Sequence, residues 1–229
     1  MKQKRVFYSE LAYLIGIVVL ALGAALMEKA DFGMSMVVAP AYLLHLKISE
    51  KLPFYSFGMS EYVLQAVLLI FLSLVLRRFK RSYLFSFVTA VLYGFALDGA
   101  LLLAAFLPCT GLALRILYYV IGTLMGAVSI ALLFHTYFTP EAYELFVKEI
   151  ADKTGKEISR VKTVYDIVSL LVSVLLSFLF FGMWHFEGVK IGTLITALTN
   201  GFLIGKVGAW LDRTFDFKDA LPFRKVFLS

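Results

Sequence analysis

The chain has 229 residues, 61% of them hydrophobic and only 17% charged, and its mean hydropathy is +0.86. These values exclude an ordinary soluble globular domain and place the chain among integral membrane proteins. The formal charge of +6 does not point to nucleic acid, because the basic residues fall between the apolar runs and mostly on one side of them.

A helix needs roughly 20 apolar residues to cross ~30 Å of hydrocarbon, and the first such run lies at 9–28. Its apolar stretch, 11–27, is too long for the core of a signal peptide, and no small-residue cleavage site precedes a soluble domain. Next comes DFGMSMVVAPAYLLHLKIS, where Gly33 breaks the span, Ser35 can cap a new turn, and 37–46 is apolar yet too short to cross. A half-helix dipping in from the outer side is expected near 34–47. Spans two and three follow at 59–76 and 83–107, the latter carrying Asp98 within TAVLYGFALDG. Cys109 stands alone, so neither a disulfide framework nor a cysteine metal site is expected.

Span four lies at 114–137. In the segment FTPEAYELFVKEIADKTGKEIS, Thr139 suits an N-cap, Pro140 the first helical position and Glu141 the positive helix end. With Lys148, Glu149, Asp152 and Lys153, the short helix near 140–152 is expected on the cytoplasmic surface. Spans five and six lie at 163–184 and 189–211, followed by a short tail.

With the N-terminus inside, the inner side receives Lys2, Lys4, Arg5, Arg77, Arg78, Lys80, Arg81, Lys148, Lys153, Lys156, Arg160, Lys162, Arg213, Lys218, Arg224 and Lys225. The outer loops receive only Lys29, Lys47, Lys51, Arg115 and Lys190. The asymmetry places both termini in the cytoplasm.

The chain also repeats itself. At an offset of 106, LAYLIGIVVLALGAALM (11–27) meets LYYVIGTLMGAVSIALL (117–133), with Tyr13, Gly16, Ala21 and Ala25 matched by identical residues. At an offset of 107, TAVLYGF (89–95) meets TALTNGF (196–202). Three crossings leave the chain on the other side of the membrane, so the halves, 1–110 and 111–229, must be inverted. The expected fold is an all-α membrane protein with six transmembrane helices as an inverted 3+3 repeat. Each half carries a short interfacial or re-entrant helix after its first span. Inverted repeats are typical of secondary transporters, whose substrate sits near the midplane between the halves.

The run 161–205, with Lys162-x-x-x-Asp166 and Gly188-x-x-x-Gly192-Thr193, and the Thr139-Pro140-Glu141 before it, resembles the YczE/YyaS/YitT family of bacterial membrane proteins. The resemblance implies a bacterial inner-membrane protein often regarded as a transporter, with no settled substrate and no catalytic role to carry over.

Asp98 is the most demanding residue, since an ionised group at the bilayer centre costs at least ~2.5–3.5 kcal/mol. Counting ~1.5 Å per residue puts it in the outer third and Lys206 in the inner third. A pair between them is therefore excluded, and Lys206 can snorkel to the interface. Ala90, Gly94 and Asp98 form a small-residue stripe matched by Ala197, Gly201 and Gly205, and the two stripes are expected to cross near the pseudo-two-fold axis. Asp98 then either pairs with Arg115 or Lys29, locking the outer half, or faces a water-filled route. Tyr93 and Asn200 are equivalent in the repeat and lie at the midplane, with Thr89, Thr196 and Thr199 close by. They offer donors and acceptors for a small polar or aromatic-bearing solute, or an interhelical bond worth ~0.6 kcal/mol.

Glu28, Lys29, Asp31, Glu61 and Asp98 would line an outer vestibule, and His135, Glu141, Lys162 and Asp166 an inner one. Candidate gating or proton-coupling residues are Asp98, Asp166, Glu61, Arg115, Lys162 and His135. His45, His135 and His185 are too scattered for a metal site, and no nucleophile–base pair, phosphate loop or zinc spacing appears. Neither enzyme chemistry nor a cofactor is expected. The expected function is small-solute secondary transport across the bacterial cytoplasmic membrane by alternating access, with proton coupling. Two alternatives stay open. One is the substrate-binding subunit of a vitamin importer, docking a partner helix through Ala21/Ala25 and Ala127/Ala131. The other is a channel-like or structural homodimer using Gly122-x-x-x-Gly126. The only other partner is the lipid bilayer.

Overall fold

The computed structural model describes residues 4–184, 186–222 and 224, with Arg81, Ser82 and Ser159 described by backbone alone. Lys2, Lys225 and His185, which entered the topology and metal-site arguments, lie outside the described residues.

In chain order the elements are β1 (Arg5–Tyr8), α1 (Ser9–Ala30), α2 (Ala39–Ser49), α3 (Phe57–Leu76), α4 (Arg81–Ala105), α5 (Leu112–Phe134), α6 (Ala142–Thr154), α7 (Ile158–Phe181), α8 (Ile191–Thr214) and β2 (Phe215–Lys218). Six of the helices are long and apolar enough to cross a bilayer, so the chain is a multi-pass helical membrane protein. Outward-facing Ile70, Leu74, Leu103, Leu171 and Leu198 are exposed, as side chains facing lipid would be. The two strands pair in parallel, Arg5 opposite Phe215 and Tyr8 opposite Lys218. This short ribbon, with no counterpart in the apolar patterning, joins the segment before α1 to the segment after α8.

Helix ends are set by local chemistry. Asp31 (φ 55°) and Arg77 (φ 51°) take left-handed conformations that stop α1 and α3. Arg115 donates to the carbonyls of Ala30 and Asp31, at 2.7 and 3.0 Å. Lys29 reaches the Ala105 carbonyl at the end of α4. Cations thus meet the negative ends of helices.

The central packing pairs α1 with α5 and α4, and α5 with α8. Helix α3 lies on α4 and α7 on α8. The short α2 packs on α3 and α7, and the short α6 on α7, α3 and α4. Where α1 crosses α5, a Cβ on Gly122 would lie 2.6 Å from the Gly23 carbonyl oxygen, and one on Gly23 2.9 Å from the Gly122 carbonyl oxygen. Only glycine permits that approach of backbones. Ala21, Ala25, Ala127 and Ala131 are buried along with them.

Three expectations about these elements are corrected. The stripes of α4 and α8 do not cross: Gly94 packs under the Tyr62 ring of α3, whereas a Cβ on Gly201 or Gly205 would meet nothing within 4 Å. Helix α6 is only partly at the surface: Ala142, Tyr143, Glu144, Leu145 and Val147 of its first turns are buried, whereas Lys148, Asp152 and Lys153 are exposed as their charge leads one to expect. It also starts later than Thr139 implied, with Glu141 at the cap. The Thr139 and Pro140 carbonyls instead accept from Thr89 Oγ1 at 2.9 Å and Ser86 Oγ at 2.6 Å on α4.

Candidate functional site

The starts of the two short helices reach the bundle interior. Met34, Met36, Val37 and Val38, which lead into α2, are buried. Backbone bonds from Met34 N to Gly188 O (3.1 Å) and from Gly192 N to Phe32 O (2.8 Å) hold that segment against the start of α8. Gly33 (φ 97°) is required there, because any Cβ would collide with Thr193 Oγ1 and the Lys190 backbone. The segment leading into α6 is held by α4 in the same way, through Ser86 and Thr89.

Between these two starts lies a cavity of about 50 Å³, room for a few waters. Leu20, Ala24 and Met27 of α1, Gly122, Thr123, Gly126 and Ile130 of α5, and Val37 and Val38 wall it. Its polar edge is made by Tyr93, Glu141, Tyr143, Glu144, Thr196 and Asn200. The midplane pair read from the repeat, Tyr93 and Asn200, therefore faces one space, together with Thr196. Thr89 does not line that space but bonds Tyr13 at 2.7 Å. Thr199 turns its hydroxyl back to the Ile195 carbonyl.

Behind Glu141 lies a buried polar cluster. Glu61 and Gln65 of α3 are wholly buried, and Glu141, Glu144, Lys162 and Asp166 are at most 4% exposed. Gln65 Nε2 donates to Glu61 Oε2 (3.2 Å) and Glu141 Oε2 (3.1 Å), while its Oε1 accepts from the Ala142 amide at 3.0 Å. The Tyr143 hydroxyl donates to Glu61 at 2.8 Å. Lys162 pairs with Asp166 at 3.0 Å, one helical turn along α7, and with Glu144 at 3.6 Å. Burial, then the Glu144 and Glu61 carboxylates, push the Glu141 carboxyl well above the ordinary range. Burial, then Glu61, raise the Tyr143 phenol too, so it stays a donor. Glu61 Oε1, Glu141 Oε1 and the Tyr93 hydroxyl have no hydrogen-bond partner among the described residues.

Glu61, assigned from its span position to an outer vestibule, thus joins Glu141, Lys162 and Asp166, because α6 starts deep enough to reach α3. His135 is apart from them, bonded to the Ala131 carbonyl and to Asp212 Oδ1 at 3.1 Å. Arg115 is occupied at the end of α1, with Asp31 Oδ2 at 3.0 Å. Asp98 pairs with neither Arg115 nor Lys29. Its carboxylate accepts from Ser56 Oγ (2.7 Å) and the Gly58 amide (2.9 Å), capping the N-terminus of α3. Lys206 is exposed and lies over the Phe202 ring. Gln65, Tyr143 and Glu144 were not singled out from the sequence. The spacing Glu61-x-x-x-Gln65, one polar face within an apolar span, was the available signal.

Six membrane-length helices around a buried acidic cluster and a small cavity define the class: a polytopic membrane protein with ionisable groups in its core. Such groups are costly in a membrane and mark functional positions. The chain belongs to the family of unknown function DUF6198, which matches over residues 7–208. No curated protein and no solved structure matches it.

Proposed function

We propose that the chain is a proton-coupled secondary transporter for a small solute in the bacterial cytoplasmic membrane. In this reading both termini are cytoplasmic, and access alternates about the cavity lined by Tyr93, Glu141, Thr196 and Asn200. The observation that carries the reading is the charge imbalance beside that cavity: Glu61, Glu141, Glu144 and Asp166 face the single cation Lys162. Full ionisation would leave a large uncompensated charge away from water, so the cluster must hold protons or a cation. Exchangeable protons next to a solute-sized space are the parts that coupling needs.

The inverted repeat, with halves 1–110 and 111–229 and α2 and α6 as re-entrant helices, is part of the same proposal. The packing supports it: exchanging α1 with α5, α2 with α6, α3 with α7 and α4 with α8 turns the main helix contacts into one another. The repeat-matched Tyr13 and Tyr119 also act alike, Tyr13 bonding Thr89 of α4 and Tyr119 the Gly192 carbonyl of α8. Kinship to the YczE/YyaS/YitT proteins belongs to this proposal and agrees with the interior placement of Glu141, Lys162 and Asp166. The importer-subunit reading drew on Ala21, Ala25, Ala127 and Ala131, which are buried, and the dimer reading on Gly122 and Gly126, of which Gly122 packs against Gly23 while a Cβ on Gly126 would meet nothing within 4 Å.

The test is accumulation. Proteoliposomes carrying a pH gradient and an extract of water-soluble bacterial metabolites should enrich at least one solute, detected by mass spectrometry, and lose it when the gradient is collapsed. Equal solute content in protein-free vesicles would refute transport.

A further inference from the structure

The cavity is chemically one-sided. Glu141 and Glu144 line it, no lysine, arginine or histidine does, and most of the remaining wall is carbon from Leu20, Ala24, Val37, Val38 and Ile130. An anion would meet two carboxylates with no counter-charge in the wall. A bare metal ion gives up its water only where several oxygens replace it, and no group of three or more His, Cys, Asp or Glu among the described residues is arranged to hold one. A second observation is independent of the acids: Tyr93 is 1% exposed, lines the cavity, and its hydroxyl has no hydrogen-bond partner among the described residues. Buried polar atoms normally have one. The Tyr93 hydroxyl and Glu141 Oε1 are two unmet acceptors beside an apolar wall, complementary to N–H donors on a short carbon body.

We propose that the cavity binds a small alkylammonium ion, its ammonium donating to the Glu141 carboxylate and the Tyr93 hydroxyl and its carbons resting on Leu20, Val38 and Ile130. The inference rests on the transport reading and names the substrate class of the same site. At about 50 Å³ the space limits the body to a few carbon atoms. Proton and ammonium compete for one carboxylate, so loading either releases the other, which is exchange. The titratable groups facing Glu141 are Tyr13 from α1, Glu61 from α3, Tyr93 from α4, Tyr143 and Glu144 from α6, and Lys162 from α7.

The experiment titrates the purified full chain in detergent with ethylammonium chloride, using acetate, ethanol and potassium chloride as controls, read by calorimetry and thermal unfolding. Ethylammonium is expected to bind saturably and more weakly as pH falls, and the controls not to bind. Tyr93→Phe, which keeps the ring packing, should weaken it about tenfold or more, the cost of one hydrogen bond to a charged group. Glu141→Gln should abolish it, and the exposed Lys206→Gln should leave it unchanged. Saturable binding of acetate or ethanol overturns the proposal, as does unaltered affinity in Tyr93→Phe. Absence of ethylammonium binding, with metabolites still accumulating under a pH gradient, removes the substrate class and leaves transport standing. Ethylammonium binding without accumulation of any solute keeps the site and removes transport.

Discussion

Asp98→Asn separates a structural carboxylate from a coupling one. The carboxylate receives two donors at the start of α3, Ser56 Oγ at 2.7 Å and the Gly58 amide at 2.9 Å, and Ser56 Oγ itself accepts from the Met59 amide at 3.1 Å. An amide NH₂ in place of Oδ2 would face the Ser56 proton, and Ser56 Oγ could accept from it only by turning that proton away from Asp98. Rotating the amide only moves the conflict to the Gly58 N–H. Both bonds lose their charge assistance, each falling from about 1.5–3 to about 1 kcal/mol, and the displaced Ser56 proton loses its acceptor. The favourable charge at a helix N-terminus, about 0.3–1 kcal/mol, goes as well. Because Asp98 is half-buried, the lower part of these ranges applies, and a loss of about 2 kcal/mol is expected. Unfolding in mixed detergent micelles measures the loss, and proton-driven uptake by the same variant should keep its pH dependence. A variant as stable as the wild type but uncoupled from pH would refute the capping argument and return Asp98 to the proton path.

Lys162→Met should destabilise the chain by about 3–5 kcal/mol, because it leaves buried Asp166 and Glu144 without their cation; adding Asp166→Asn should recover part of the loss in the same unfolding assay, and no recovery would argue against the pair. At the α1–α5 crossing, Gly122→Ala brings a Cβ to 2.6 Å from the Gly23 carbonyl oxygen and should cost about 1–3 kcal/mol. Gly205→Ala, with nothing within 4 Å, should be neutral or stabilising by up to ~1 kcal/mol; equal effects of the two, compared by thermal unfolding, would contradict the packing. Glu141, raised by burial and then by Glu144 and Glu61, favours the folded state when protonated. Its contribution is full below the ordinary carboxylate value of 4.5 and is lost as pH rises toward the higher folded value. Stability measured from pH 5 to pH 8 should therefore fall less steeply in Glu141→Gln than in wild type, and an unchanged slope would assign the pH dependence to other groups.

Much of this protein was legible in its sequence because the membrane imposes a length and a polarity on each span. The apolar runs read at 9–28, 59–76 and 189–211 became α1, α3 and α8 with ends shifted by at most a few residues, although α1 stops at a left-handed Asp31, two residues before the Gly33 read as its breaker. Tyr93 and Asn200, matched at the sequence offset of 107, line one cavity. What the sequence alone could not provide was depth across the bundle. Rise per residue places a group within its own helix, but a short helix that begins inside the bundle brings residues from loop-like sequence, Glu141 and Glu144, to Glu61 and Gln65 on another span. Direction around a helix was equally hidden. Two matched small-residue stripes looked equivalent, yet α4 buries its own under Tyr62 while α8 leaves Gly201 and Gly205 open. Asp98, the most conspicuous charge in the sequence, serves a neighbouring helix end, and the buried acids lie where only packing decides that they meet. Composition and period thus determined that six helices are long and apolar enough to cross a membrane; the tertiary structure decided which polar faces turn inward, because burial of a charge depends on neighbours contributed by distant parts of the chain.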